Sequence, residues 1–320
     1  QFSNLRHLWQ VPTKTYRNLE LRLEQSSRYD FGGNLNRIKL EAQGSINWIN
    51  NWFTDVGIGL NSNVYGNSFL RGGPRWRSPN DNFIFSFFGS DRSRKFSFTL
   101  GYVNAQGEED VYDMNRYVVR MNYQPFDAFS MSLNTRFEKR IDKTQYVTES
   151  DFNGTPRYIL GEIDNQTWTT TLRLNYSINP NFSIQFYGQP FISRGRYSNF
   201  NFVNNSTAAS INDRVNFYNQ NQISEGMDIN GNSIYVIDED TNSTTDYTFN
   251  KPDFSFVQLQ TNLVARWEYI PGSELFFVWS RGSSGLDDVN NSLSDSVSNQ
   301  IFNAPSQDTF VIKATYRFVR

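Results

Sequence analysis

Hydrophobic residues in the stretch 256–280 follow the two-residue period of a β-strand. From Val257 to Tyr269 they alternate with polar and charged residues. Side chains on a strand point alternately to opposite faces, so this pattern predicts one apolar face and one polar face. The residues Pro271-Gly272-Ser273 suit a short turn. The apolar positions of this predicted hairpin are Val257, Leu259, Leu263, Ala265, Trp267, Tyr269, Leu275, Phe277 and Trp279.

The same rhythm recurs along the chain and predicts about twelve strands. They lie near residues 16–27, 38–48, 56–61, 82–89, 96–102, 117–123, 129–138, 168–178, 182–186, 257–269, 275–279 and 310–318. A further candidate, Leu5–Val11, has no obvious partner strand. Few of these strands are apolar on both faces, as the strands of a buried sheet would be.

Short and long connections alternate between the predicted strands. The long ones cover residues 62–80, 140–164, 194–252 and 282–306, and 194–252 is the longest. Outer-membrane barrels place short turns on the periplasmic side and long loops outside. We therefore expect an all-β fold, a transmembrane antiparallel β-barrel, as one domain over residues 1–320. An even strand count places both termini on the periplasmic side. The alternative is a large soluble β-sandwich or β-solenoid.

Composition agrees with a barrel. Hydrophobic residues make up only 38% and mean hydropathy is −0.61, yet aromatic residues reach 16%. A barrel accounts for this because half of each strand faces water and aromatic residues gather at the membrane interfaces. No run of 18 apolar residues is present, so transmembrane helices are not expected. The chain opens at Gln1 without a signal peptide, which favours part of a longer chain over a mature form.

Several functional classes find little support. The formal net charge of −2 and the lack of a basic cluster argue against nucleic-acid binding. There is no cysteine and only one histidine, His7, so no catalytic residues, cofactor site or enzyme activity are expected. The pair Gly72-Gly73 lies in a loop rather than between a strand and a helix, which argues against a nucleotide site. A tight loop or an inward fold at a pore mouth is the better interpretation.

One spacing in the longest loop suggests a metal. Asp238, Asp240, Asn242 and Asp246 occupy positions 1, 3, 5 and 9 of a calcium-loop pattern. However, Ser243 stands in place of the turn glycine, and a second partial match overlaps the first. That second match consists of Asp228, Asn230, Asn232 and Glu239. The loop therefore predicts either a Ca²⁺ site or a solvated acidic loop.

Charged residues of both signs fall on the predicted polar face. An unpaired Arg or Lys facing lipid at mid-depth costs about 2–4 kcal/mol, so the period assigns them to the interior. They predict either a pore that screens solutes or an ion-paired lumen that is filled or plugged. The set comprises Glu20, Arg22, Glu24, Lys39, Glu41, Arg136, Glu138, Arg173, Arg266, Glu268, Lys313 and Arg317.

Four segments resemble an uncharacterised outer-membrane family of Bacteroidota. They are Leu70-Arg71-Gly72-Gly73-Pro74, Lys143-Thr144-Gln145-Tyr146-Val147, residues 189–197 (QPFISRGRY), and Arg266-Trp267-Glu268-Tyr269 followed by Pro271-Gly272-Ser273. Members of that family resemble an N-terminal family-9 carbohydrate-binding-like module followed by a long C-terminal barrel. The resemblance implies that this chain is the C-terminal part. The module and earlier strands would then precede it or be supplied by another chain, and the closed barrel would hold more than twelve strands.

Two functions are expected from these observations. The first is a channel or porin-like conduit, with a saccharide as the solute that the resemblance suggests. The second is a structural or anchoring subunit of a larger outer-membrane complex, whose loops bind a partner or surface glycan. Membrane lipid is the expected partner in both, together with an N-terminal part or other envelope proteins.

Overall fold

The computed structural model describes residues 1–62 and 64–318, which form an almost entirely β structure. Its two α-helices are α1 (Ile211–Arg214) and α2 (Leu293–Phe302). The strands of the described residues are β1 (Phe2–Trp9), β2 (Tyr16–Tyr29), β3 (Leu35–Trp48), β4 (Phe53–Ser62), β5 (Tyr65–Gly66), β6 (Trp76–Arg77), β7 (Asp81–Gly89), β8 (Phe96–Gly107), β9 (Tyr112–Phe126), β10 (Phe129–Phe152), β11 (Thr155–Asn179), β12 (Phe182–Val203), β13 (Val215–Phe217), β14 (Ile223–Met227), β15 (Ser233–Ile237), β16 (Tyr247–Asn250), β17 (Phe254–Ile270), β18 (Ser273–Leu286) and β19 (Gln307–Ala314).

One large antiparallel sheet contains most of these strands. Its order is β1-β2-β3-β4-β7-β8-β9-β10-β11-β12-β17-β18-β19, with β13 added to the end of β12. Strands β14 to β16 form a separate three-stranded sheet, and β5 pairs with β6. Among the described residues no ladder joins β1 to β19, so both edges of the large sheet are open. The all-β antiparallel fold predicted from the sequence is confirmed, and closure into a barrel stays a prediction.

Strand number and strand length differ from the expectation. The large sheet follows thirteen strands in order, because Phe2–Trp9 pairs with β2 along its whole length. An odd number places the start of β1 and the end of β19 at opposite ends of the sheet, so the expectation of both termini at one end is wrong. The predicted loop 140–164 is also wrong, because β10 and β11 continue through it to a turn at Asn153-Gly154. Strand β12 runs to Val203, so the longest connection begins at residue 204.

The two faces of the sheet differ sharply in polarity. A row of directly paired residues crosses eight strands and is apolar throughout. The adjacent row, made of the sequence neighbour of each of these residues, is polar throughout. The apolar row is Phe96, Tyr123, Met131, Leu174, Phe186, Leu263, Trp279 and Phe310. The polar row is Ser97, Asn122, Ser132, Arg173, Tyr187, Asn262, Ser280 and Thr309. We call the faces that carry these rows the apolar face and the polar face.

In β4 and at the start of β8, exposure on the two faces is the reverse of that in a water-soluble sheet. In β4 the apolar Val56 and Ile58 are exposed, whereas the intervening Gly57 and Gly59 are buried. Phe96 is 49% exposed and the neighbouring polar Ser97 only 3%. The total accessible surface is 18,899 Å², against about 13,700 Å² expected for a compact soluble protein of 37.3 kDa. The sheet is therefore not wrapped around an apolar core of its own.

The apolar face has a limited height. On β10 its apolar positions run from Phe129 to Phe137 and end at Lys139; the remainder of this 24-residue strand continues beyond. Nine residues are close to the ~9–11 that a tilted strand needs to cross a bilayer. Aromatic residues mark both limits, because Phe137 pairs with Trp168 and Phe129 with Tyr176. Such aromatic limits are typical of membrane barrels.

Helix α2 covers one part of the apolar face. Ile192, Val257 and Val297 form a buried cluster against which Leu293 packs. Val257, predicted from the sequence to face lipid, is only 1% exposed for this reason. The helix begins at Ser292, whose side chain accepts a hydrogen bond from the Asp295 backbone N–H, as expected for an N-cap. No helix in the described residues has the length and apolar character to span a membrane.

Candidate functional site

Ion pairs bring together many of the charges assigned to the polar face. Arg22 donates to Glu20 at 2.8 Å, and Arg116 donates to Glu138 at 2.8 Å. Further pairs of this face join Arg6 to Glu20, Lys39 to Glu24 and Glu41, and Arg266 to Glu268 and Glu274. The pairing registers place Arg136 and Arg173 on the same face, and Lys313 lies on β19 beside the ring of Phe276. Arg317 follows β19, and its backbone N–H donates to Ser273.

Phenylalanine rings on the polar face lie across glycines of the neighbouring strands. Phe83 and Phe85 of β7 pair with Gly59 and Gly57 of β4. A Cβ atom added to Gly57 would lie 2.3 Å from the Phe85 ring, and one added to Gly59 would lie 2.3 Å from the Phe83 ring. Two further pairs have this arrangement, Phe87 with Gly101 and Phe53 with Gly89. Aromatic cover of a strand glycine restores packing that the missing side chain cannot supply.

Cations accompany these rings. The Lys39 ammonium lies 5.5 Å from the centroid of Phe83, and the Arg120 guanidinium 6.0 Å from that of Phe87. The Arg92 guanidinium lies 4.6 Å from the centroid of Phe53. Alternation along single strands did not predict this arrangement of rings and glycines. Its signal was present in the alternation of Phe83, Phe85 and Phe87 and in the glycines of the strand before them.

A polar hollow opens where the row of rings ends. It has a volume of about 430 Å³ and lies at the short-turn end of β2, β3, β4 and β7. Asn51 donates to Asp91 at 3.1 Å, and Asp91 also accepts from the Ser93 backbone N–H at 2.9 Å and its hydroxyl at 2.7 Å. The Ser93 bonds are the main cause that lowers the pKa of Asp91 to about 2. The hollow is lined by Arg17, Asn18, Asn47, Asn51, Phe53, Asp55, Asp91, Arg92 and Ser93.

At the other end of the sheet, residues 64–80 form a loop that lies against the polar face. Arg75 donates to the backbone carbonyl of Leu35 at 2.6 Å, at the start of β3. The Arg71 guanidinium lies 4.9 Å from the centroid of Tyr146 on β10. The loop therefore reaches from β3 to β10, and we call it the crossing loop. Gly72 and Gly73 lie in this loop, as predicted, and an inward fold at a pore mouth stays a prediction.

A buried cluster anchors the crossing loop. Trp76 is fully buried and stacks on Phe69 at 5.4 Å. It packs with Leu160 of β11 and with residues of the segment around α1. Arg214 of α1 is also fully buried, donates to the Arg77 carbonyl at 2.7 Å and lies 3.7 Å from Glu109. Burial lowers the pKa of Arg214, and the nearby Glu109 opposes that shift.

The acidic loop between β15 and β16 brings three of the four predicted metal ligands together. Carboxylate oxygens of Asp238, Asp240 and Asp246 all lie within 4.8 Å of one another. Asp238 accepts from two backbone N–H groups, at 3.0 and 2.8 Å, and Asp246 from one, at 2.6 Å. Asn242 donates to Asp240 at 3.0 Å, and its own oxygen accepts from Thr244. These bonds organise the loop by themselves, so Ca²⁺ binding stays a prediction.

The second partial match is not one group in the structure. Asp228 closes the β14–β15 turn and Glu239 follows the other end of β15. Glu239 instead pairs with Arg157 of β11 at 2.9 Å and accepts from the Tyr247 hydroxyl at 2.6 Å. The Tyr218 and Tyr247 hydroxyls are 2.8 Å apart, and burial raises the pKa of both. This network fixes the three-stranded sheet to β11.

Comparison with known proteins identifies a family without a known activity. Residues 2–319 match the family described as Domain of unknown function (DUF5916). No curated protein and no solved structure matches the chain. The carbohydrate-binding-like module and the bacterial group implied by the resemblance stay expectations. Because the match covers nearly the whole chain, the protein belongs to the DUF5916 family.

Proposed function

We propose that the chain forms part of an outer-membrane β-barrel that conducts polar solutes, as a channel or porin-like conduit. The observation that supports this best is the pair of neighbouring rows, one of apolar residues that are all at least partly exposed, the other of polar residues. Water penalises an apolar face of this extent, whereas lipid does not. Its height of about nine residues and its aromatic limits suit a bilayer. No catalytic step is part of the proposal.

Closure of the sheet is part of this proposal. In lipid, an open sheet edge leaves backbone N–H and C=O groups unpaired at several kcal/mol each. Strands β1 and β19 run in the same direction, because an odd number of strands follow each other in antiparallel order. Direct pairing of these two edges would therefore be parallel. An antiparallel closure takes an odd number of additional strands, from an N-terminal part or another envelope protein.

The proposal also assigns an orientation. Short turns such as Pro271-Gly272 would lie at the periplasmic side, and the long connections would lie outside the cell. The crossing loop then lies at the external mouth and narrows it. Ion pairs along the polar face keep the charges of the lumen partnered while leaving it polar.

Planar-bilayer recording of the purified protein tests conduction. We expect discrete current steps whose size rises when the crossing loop is removed by joining Ser62 to Asp81 through a short Gly-Ser linker. The absence of current over many insertions, for both the intact protein and this variant, would refute a conduit.

One observation favours a second function, that of an anchoring subunit. Strands β10, β11 and β12 have 24, 25 and 22 residues, about twice the length of a crossing. Their extensions carry the three-stranded sheet through the Arg157–Glu239 pair. Such a rigid projection would present a partner-binding or glycan-binding surface outside the membrane. Purification in mild detergent after cross-linking tests it, and a lone monomer in every preparation would contradict it.

A further inference from the structure

Four phenylalanine residues follow one another along the polar face. Phe83, Phe85 and Phe87 occupy alternate positions of β7. The next polar-face position of β7 is Gly89, and Phe53 of β4 lies across it. The Phe85 and Phe87 ring centroids are 6.2 Å apart, and all four rings are partly exposed. We call this row the aromatic track.

Glycine cover alone does not explain the track. Other apolar side chains of similar length, such as that of leucine, would also reach over Gly57 or Gly59. Instead every one of these positions carries a flat ring, on a face otherwise rich in ion pairs and amides. Because each ring lies over a glycine rather than over another side chain, the rings lie low against the sheet. Lys39, Arg120 and Arg92 lie over three of the rings, so a solute on the track would contact these cations as well as the ring faces.

Polar groups border the track along its length. Phe83 is flanked by Lys39, which is paired with Glu41. Phe87 pairs with Asp55 on one side and has Arg120 nearby on the other. The track ends in the polar hollow at Phe53. Rings with convergent charged and amide groups around them are typical of sites that bind small polar ligands by one apolar face.

We propose that the aromatic track binds saccharides and guides them along the polar face. A pyranose ring presents C–H groups of slightly positive character on one face, which suit the negative face of a phenyl ring. Its hydroxyl groups point outward in the ring plane, where Lys39, Asp55 and Arg120 can exchange hydrogen bonds with them. The Phe85 and Phe87 rings, 6.2 Å apart, let a linear oligosaccharide move from one to the other. This inference rests on the proposed function, because a lumen must enclose the track.

Binding of maltohexaose, cellohexaose and xylohexaose to the purified protein tests the inference, by calorimetry in detergent and by block of single-channel current. We expect at least one hexasaccharide to bind. The double variant Phe85→Leu, Phe87→Leu keeps the glycines covered but removes the ring faces, and should weaken that binding at least 10-fold. The matched control is Phe88→Leu, on the apolar face of the same strand, which should bind as the wild type does.

The outcomes separate this inference from the conduit. Current steps that none of the three saccharides alters, with no heat of binding, would overturn the track and leave the conduit intact. Saccharide binding that the double variant weakens, in a protein that passes no current, would support the track and refute the conduit. Equal binding by the wild type and a folded double variant would overturn the track.

Discussion

Replacing Trp76 by alanine should release the crossing loop without unfolding the sheet. Trp76 is fully buried between Phe69 and the Arg214 guanidinium, which lies 5.8 Å from its ring centroid. Truncating a buried Trp costs about 3–5 kcal/mol. The large sheet does not depend on this cluster, because its ladders run between neighbouring strands. The cost therefore falls on the equilibrium between docked and released loop.

The size of the effect follows from that cost. Each 1.4 kcal/mol changes an equilibrium about tenfold, so a cost of about 3–5 kcal/mol should raise the released population by about 10²- to 4 × 10³-fold. Three arginines, Arg71, Arg75 and Arg77, make the released loop a substrate for trypsin. Where opening and closing are fast, cleavage follows the population of the open form. Trypsin digestion of the folded protein in detergent should then cut the variant within residues 71–77 at least 100-fold faster.

The control is Trp267→Ala, which removes a half-exposed tryptophan from the apolar face. It should leave loop cleavage unchanged. Equal protection of the wild type and Trp76→Ala would refute the view that this cluster docks the loop. In bilayers the Trp76 variant should also show larger or longer current steps, because its crossing loop leaves the mouth more often.

Three further predictions test other parts of the structure. Leu263→Arg should weaken refolding into liposomes by about 2–4 kcal/mol, measured by urea titration, whereas Asn262→Arg on the polar face should not; equal costs would contradict the assignment of faces. The pKa of Asp91 is lowered to about 2, so its carboxylate contributes stability to the β7–β8 turn that is fully present above the unfolded pKa of about 3.9. This stability is lost as pH falls to about 2, so the difference in Tm between the wild type and Asp91→Asn should shrink over that range. A constant difference would contradict this role of Asp91. Terbium luminescence should show metal binding at the acidic loop no tighter than about 10⁻⁴ M and abolished by Asp238→Asn, and unchanged binding in that variant would place the ion elsewhere.

Local alternation was enough to predict the strands that carry the apolar face, and which face each of their residues occupies. Apolar residues at every second position, as in Val257–Tyr269, require no knowledge of neighbours, because a strand has only two faces. The pattern also placed Glu41 and Arg173 on the polar face, where the pairing registers have them. It failed beyond Phe137 and Trp168, because apolar and polar residues no longer alternate in the remainder of β10 and β11. Those residues read as loop, yet they continue the ladder to Phe152 and Thr155.

Contacts between distant segments were decided only by the tertiary structure. The sequence grouped Asp238, Asp240 and Asp246 because their spacing is local, but it could not pair Glu239 with Arg157 across 82 positions. The rings over Gly57 and Gly59, the docking of Trp76 beside Arg214 and the cover of Val257 by α2 all depend on which strands and loops become neighbours. Alternation reports which side of a strand a residue occupies, and it carries no information about what lies opposite. Register and loop packing supply that information, which is why the periodic pattern came from the sequence and the aromatic track only from the fold.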